Sequence, residues 1–380
     1  MDFNQSMGPG LNGIYLSATA NYNIGSFLSM NVNIGDIKEY TLMSKDEQFS
    51  YSFPKNPENN EYKVLATGYM FLLIFAKKLF FFLGDLEAIQ YLQYIVHILI
   101  VMAIISIMEK RYEKILFFIF YGINPVILYF VNYTFYYFWQ VVPSAIFIYY
   151  YISKKKINNK IYLITLIFVL IFITRSTILF FLIFFYIWYG YKENWKKSLV
   201  NIVIFFSFVY IMNSDIKNPY HAMYVGIGAY ENVYNIKLDD DSAFEFFNQK
   251  TNKTFNTFAA MDKELYKDYS MVIKEEYFNI FNESYLLLIR NAIYNFFQSY
   301  SLGHKVGNLF INYISIIIGV VVLSLLLYTK NFILLFSIGL CSLSFTLYFP
   351  PIAAYMYGSY ILIVISLIKF IKLFRFKVYS

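Results

Sequence analysis

The sequence predicts an all-α polytopic membrane protein, a bundle of about eight or more transmembrane or half-spanning helices with extracytoplasmic loops. Three observations predict it. Of 380 residues, 59% are hydrophobic and only 14% are charged, where soluble globular chains carry about a quarter. Apolar stretches of about 20 residues recur, each enough to cross a hydrocarbon core of roughly 30 Å. Between them lie two long polar intervals, residues 1–62 and 213–305, that have no need of hydrocarbon.

Taken in order, the chain divides at 1–86, 87–212, 213–305 and 306–380. The first interval holds Gly8, Pro9, Gly10, Pro54 and Pro57, with Tyr, Phe and Leu dispersed through it, and reads as an ordered outer loop. Residues 64–83 are apolar but carry Lys77 and Lys78, which favours a helix lying in the interface over one that spans. Spans are expected at 88–108, 115–131 and 135–153. The apolar run 161–189 is about nine residues longer than one span needs. Thr174-Arg175-Ser176 interrupts it, so two short helices should meet at Arg175. Further spans are expected at 198–212, 308–328, 331–348 and 358–374. Within 213–305, residues 262–297 mix acids, lysines and aromatics at helical spacing, as amphipathic helices on a membrane or on the outer domain do.

Basic residues in short loops set the orientation. The segments 109–114, 154–160, 190–197, 329–330 and 369–377 together hold 15 Lys/Arg against 3 acids. They belong on the cytoplasmic side of a plasma or inner membrane, with the C-terminus. Both polar intervals then face outward. A chain that starts outside needs a preceding helix to deliver it, so an N-terminal span is expected to be missing from this sequence.

Few residues could carry chemistry. Arg175 is the ionisable residue in the middle of a long apolar run, a position costing about 2.5–3.5 kcal/mol on insertion scales. There it either grips a phosphate with paired hydrogen bonds or snorkels to the interface. His221 follows a span and could donate to a lipid phosphate or assist proton transfer. The run Asp239, Asp240, Asp241 before Ser242 fits a helix N-cap; as a converging carboxylate cluster it could bind a divalent cation. No His or Cys pair has metal-ligand spacing. Gly226-Ile227-Gly228 reads as a turn without the rest of a phosphate loop. Cys341, the single cysteine, reads as a packing residue. No basic stripe for nucleic acid is visible.

The arrangement resembles the GT-C superfamily of membrane glycosyltransferases, especially bacterial relatives of dolichyl-phosphate-mannose protein mannosyltransferases. Asn12-Gly13-Ile14-Tyr15-Leu16-Ser17-Ala18 looks like that family's first-loop motif, and Tyr69 onward to Gly84 like its interfacial helix. Asn124-Pro125 and Ile173-Thr174-Arg175-Ser176-Thr177 fit its later elements, and the segment from His221 to Asp241 is similar to an outer-loop segment. The resemblance implies sugar transfer from a polyprenyl-phosphate donor to a glycan or protein acceptor of the cell envelope, among membrane lipids. It implies Asn12, Tyr15, Arg175 and His221 as substrate-binding residues. The family's general base is a carboxylate, and this chain has Asn12 at the corresponding place. Either another acid of that interval substitutes, with Asp36 and Glu39 the catalytic candidates and Asp2 less suited at the chain end, or the chain is inactive.

Two other readings compete. A flippase or transporter for a lipid-linked sugar predicts polar residues along several spans and inverted repeats; apart from Arg175, His97 and a few Asn and Gln the spans are dry. An O-antigen polymerase or ligase type predicts several arginines in the outer loop, where only Arg290 occurs.

Overall fold

The structure, a computed structural model, describes residues 9–21, 30–32, 34–55, 60–62, 67–212, 219–252 and 263–378. It is predominantly helical. The chain forms two compact units, one of residues 1–215 with 357–380, the other of residues 216–356.

The first unit opens differently from the loop expected at 1–62. That interval holds α1 (Pro9–Ala20), α2 (Ile34–Leu42) and α3 (Lys45–Ser50). It also holds a two-stranded antiparallel ribbon of β1 (Met30–Val32) and β2 (Asn60–Tyr62). Proline at the first position of α1 loses no intrahelical hydrogen bond and presets φ. A Cβ at Gly13 would stand 3.1 Å from the Ile37 side chain and 3.3 Å from Tyr40, so the glycine sets how closely α1 and α2 approach. Ser44 and Glu47 cap α3 reciprocally: Ser44 N donates to Glu47 Oε2 at 2.8 Å, and Glu47 N donates to Ser44 Oγ at 3.4 Å.

Next come α4 (Thr67–Leu79) and α5 (Asp85–Ile107). The lysine that argued against a span is anchored. Lys77 Nζ donates to Ser52 Oγ at 2.7 Å and Leu83 O at 2.6 Å, and pairs with the buried Asp85 at 3.0 Å. Asp85 also accepts from Phe53 N, so one ion pair fastens the end of α4, the start of α5 and the 51–53 segment.

The stretch expected to span at 115–131 is broken. It forms α6 (Arg111–Phe117), a π-turn over Phe118–Gly122 and α7 (Pro125–Asn132), with a bend of 51°. Asn124 caps α7 by accepting from Val126 N, with proline next. A 3₁₀ turn (Tyr136–Gln140) leads to α8 (Val141–Ser153). The long apolar run then divides as expected, into α9 (Lys160–Thr174), a 3₁₀ turn (Ser176–Ile178) and α10 (Leu179–Lys192), followed by α11 (Trp195–Met212). Arg175 stands at the break with extended backbone, φ −152° and ψ 107°.

The second unit contains α12 (Pro219–Ile227), α13 (Asp240–Thr251), α14 (Lys263–Gln298), α15 (Leu309–Tyr328) and α16 (Phe332–Thr346). Of the expected Gly226-Ile227-Gly228 turn, Gly226 and Ile227 close α12 and Gly228 opens the turn that follows it. There a Cβ at Gly226 would lie 2.0 Å from Tyr348 O, so only glycine admits that backbone. Tyr224, Phe244, Phe247, Tyr269, Ile273 and Ile280 pack a buried core among α12, α13 and α14. Ser284, at φ −140° and ψ 43°, interrupts α14. Cys341 is buried in α16. The last helix, α17 (Ala353–Val378), ends the described chain.

Among the described residues three helical segments are long and apolar enough to cross a membrane: Asp85–Ile107, Leu309–Tyr328 and Ala353–Lys372; the bent α6–α7 pair makes a fourth if it counts as one span. Apolar side chains such as Val203 (64% exposed) on α11 and Phe310 (74%) on α15 stand at the surface.

Candidate functional site

Each unit contributes one polar constellation built on residues the sequence singled out. In the first, the end of α9 delivers Arg175 into a pair of tyrosines. Its Nη1 donates to Tyr136 Oη at 3.2 Å, and the guanidinium carbon stands 5.0 Å from the Tyr136 ring centre and 5.3 Å from that of Tyr137. Both rings come from the 3₁₀ turn before α8, where the tight backbone presents consecutive aromatics to one cation. Gln140 from the same turn accepts from Thr177 Oγ1 at 3.3 Å, tying the turn to the far side of the break. The guanidinium is half-buried; it is held over rings at a helix break, which differs from an arginine reaching along a helix to water.

A glycine brings α4 up to this break. A Cβ at Gly68 would fall 2.4 Å from Thr174 Oγ1 and 2.6 Å from Leu170 O. The close crossing seats Tyr69 against Tyr136, ring centres 6.4 Å apart, and Tyr15 against Tyr69 at 5.3 Å. Tyr15, expected to bind substrate, is only 2% exposed. It stands two rings behind Arg175 and supports them by packing. The side chain of Asn12 lies outside the described residues.

Asp36 and Glu39 lie on α2, Asp36 half-buried and Glu39 exposed. They share a neighbourhood with Tyr51: burial first, then the charges of Glu39, Asp36 and Asp85, push its phenol up from the usual value. Asp85 is engaged by Lys77.

In the second unit His221 sits in the first turn of α12 and not in a loop. Both ring nitrogens are engaged: Nδ1 meets Tyr269 Oη at 2.6 Å, and Nε2 meets Asp240 Oδ1 at 3.0 Å. With the tyrosine donating to Nδ1, Nε2–H donates to the carboxylate. Phe244 stacks on the imidazole, ring centres 5.9 Å apart. Tyr269 is fully buried, and burial, followed by the Asp240 charge, raises its phenol well above the ordinary value. A phenol held neutral this firmly serves as a hydrogen-bond donor and not as a base. The constellation links the starts of α12 and α13 to α14. Its partners are 19 and 48 residues from His221, separations at which no sequence spacing signals contact.

Two of the three aspartates have local roles. Asp239 caps α13, its Oδ1 accepting from Ser242 N at 2.9 Å and Ser242 Oγ at 2.8 Å. Asp240 turns to His221. Among the described residues no group of three or more His, Cys, Asp or Glu is arranged to hold a metal ion.

No family model, curated protein or solved structure matches the chain.

Proposed function

We propose that this chain is a GT-C-type glycosyltransferase of the plasma or inner membrane, with about eight or more spanning and half-spanning helices and a cytoplasmic C-terminus. It would transfer a sugar from a polyprenyl-phosphate donor to a cell-envelope acceptor at the outer face. The observation that carries this reading is Arg175, a guanidinium fixed by Tyr136 and Tyr137 at the break between two apolar helices.

In the reaction the acceptor hydroxyl oxygen bonds to the anomeric carbon as the bond from that carbon to the donor phosphate oxygen breaks. The hydroxyl proton passes to a carboxylate, Asp36 or Glu39 in this chain. The polyprenyl phosphate leaves with the bonding electrons, and the charge developing on it is met by Arg175. Pre-held by rings, the guanidinium needs little reorganisation as that charge grows. His221, occupied on both nitrogens, is given the supporting role of ordering the second unit.

The test uses the full chain in proteoliposomes with a radiolabelled polyprenyl-phosphate sugar and envelope glycan or peptide acceptors. Arg175→Ala should cut transfer about 100-fold or more, the scale set by loss of one charge-stabilising donor. Arg175→Lys should keep part of it, since a lysine preserves charge but not the fork. Asp36→Asn with Glu39→Gln should abolish it. Unchanged transfer in the Arg175→Ala chain would remove the reading.

A further inference from the structure

The break in α14 opens a space that neither constellation uses. At Ser284 the helix departs from helical backbone, and a cleft of about 610 Å³ forms beside it. That lies inside the roughly 300–1,000 Å³ of small-molecule sites. Tyr234 props the break from the opposing loop, its hydroxyl meeting Ser284 Oγ at 2.8 Å and Glu283 Oε2 at 3.2 Å.

The lining is chemically mixed: Glu231, Asn232, Glu283, Tyr285 and Arg290 all face the cleft. Arg290 is aimed by its own neighbours, Nη2 donating to Glu231 O at 2.9 Å and to Asn291 Oδ1 at 3.0 Å. Two carboxylates would repel a phosphate, and the guanidinium would repel a quaternary ammonium. A neutral group rich in hydroxyls satisfies both, donating to the carboxylates and accepting from the guanidinium. The half-exposed Tyr285 ring offers a flat apolar platform for the C–H face of a sugar.

Tyr285 also borders a second space. An apolar groove of about 530 Å³ runs along Phe281, Leu288, Ile289 and Leu347, and the same tyrosine lines both cavities. The helix itself changes character at this point. Residues 263–283 hold eight charged side chains, whereas 285–298 hold Arg290 alone. Leu286 (66%), Ile289 and Ile293 are exposed on the apolar half. A polar cleft and an apolar groove meeting at one ring fit an amphiphile.

We infer that the Ser284 break is a binding site for a glycolipid, its sugar in the cleft and the start of its hydrocarbon in the groove. Binding there does not depend on the transferase reading, because a chain without catalytic activity would hold the same ligand.

The experiment places a thiol at the rim through Val233→Cys, an 82% exposed position lining the cleft. The full chain in nanodiscs is labelled with a maleimide, and the unsubstituted chain with its buried Cys341 gives the background. Nanodiscs containing monoglucosyl diacylglycerol should slow labelling about fivefold relative to phosphatidylcholine alone, as mass action gives when ligand exceeds its Kd several-fold. Glu231→Gln with Glu283→Gln, both at exposed positions, should restore most of the lost rate. Equal labelling in all lipids would overturn the inference, and so would protection by phosphatidylglycerol alone. Protection by free maltose as strong as by the glycolipid would assign the cleft to a soluble saccharide and overturn the glycolipid.

Discussion

Both units bury polar side chains among apolar helices, but they use them in different ways. In the first unit Gln90, Gln93 and His97 line up along α5 and bond to backbone: Gln90 Nε2 to Asn132 O, Gln93 Nε2 to Val131 O and Tyr133 O, and His97 Nε2 to Gly122 O. Gly122, Val131 and Asn132 belong to the broken α6–α7 pair and Tyr133 follows it, where helix ends leave carbonyls outside the helical ladder; Tyr133 O also accepts from Phe135 N at 2.8 Å. In the second unit the polar groups bond to one another as well as to backbone carbonyls. Tyr230 Oη donates to Asn295 Oδ1 and Gln298 Oε1; His304 Nδ1 donates to the same Gln298 oxygen, and its Nε2 accepts from Asn312 Nδ2. The first arrangement ties each side chain to backbone carbonyls. The second is a network, in which losing a member strands several others.

The largest expected effect follows from the network's hub. Gln298 accepts from Tyr230 and His304 and donates to Asn312 O at 3.1 Å. Gln298→Leu takes the acceptor from His304 Nδ1 and a donor from Asn312 O, and leaves Tyr230 Oη with Asn295 Oδ1 alone, at about 1–3 kcal/mol for each buried group left without its bond. The chain should lose about 4 kcal/mol, read as a lowered Tm in detergent or nanodiscs. A loss near 1 kcal/mol would mean that the members act independently, as in the first unit.

Legibility in the sequence follows the same division. The apolar runs were readable because hydrocarbon demands about 20 such residues, and Arg175 marked its own break by being charged inside one. Tyr136 and Tyr137, which hold it, were hidden among 39 tyrosines. The N-terminal helices were missed because α2 and α3 are short and mostly polar, although Ser44-Lys45-Asp46-Glu47 carries the capping-box pattern. The polar residues of α5 were visible, but not their use, since the carbonyls they reach lie 25 to 42 residues away. The cleft at Ser284 left no signal at all, because a serine within a helical stretch is common and its lining comes from two distant segments.

The next effect isolates one network member by pH. His304 is 5% exposed, and burial lowers its pKa from the usual 6.5 to about 4. Above pH 6.5 the imidazole is neutral in both folded and unfolded chains, and the group contributes no pH dependence. Below that the unfolded chain takes up a proton that the folded chain refuses, so stability falls until about pH 4. The loss is about 3 kcal/mol in all. His304→Gln should flatten this part of the Tm profile between pH 6.5 and 4, while His221→Gln should leave it in place.

A smaller loss is expected from the first unit. Gln93→Leu removes donors to two carbonyls at once, Val131 O at 2.9 Å and Tyr133 O at 3.1 Å. Carbonyls have two lone pairs and tolerate a missing bond better than buried donors do, so about 2 kcal/mol is expected. If Gln93→Leu cost as much as Gln298→Leu, the contrast between the units would collapse.

The smallest effect lies outside both sets, at the surface, and separates a cap from a ligand. Asp239 accepts from Ser242 N at the start of α13. Asp239→Ala should cost about 1 kcal/mol and Asp239→Ser almost nothing, because a serine oxygen caps nearly as well. A metal ligand would behave otherwise: serine lacks the charge that a divalent cation requires of its oxygen donors. Tm should therefore be unchanged by chelator or by added calcium in both the native and the Asp239→Ser chains. A rise in Tm with calcium that Asp239→Ser abolishes would turn the cap into a cation site, and α13 would then owe its start to an ion as well as to a hydrogen bond.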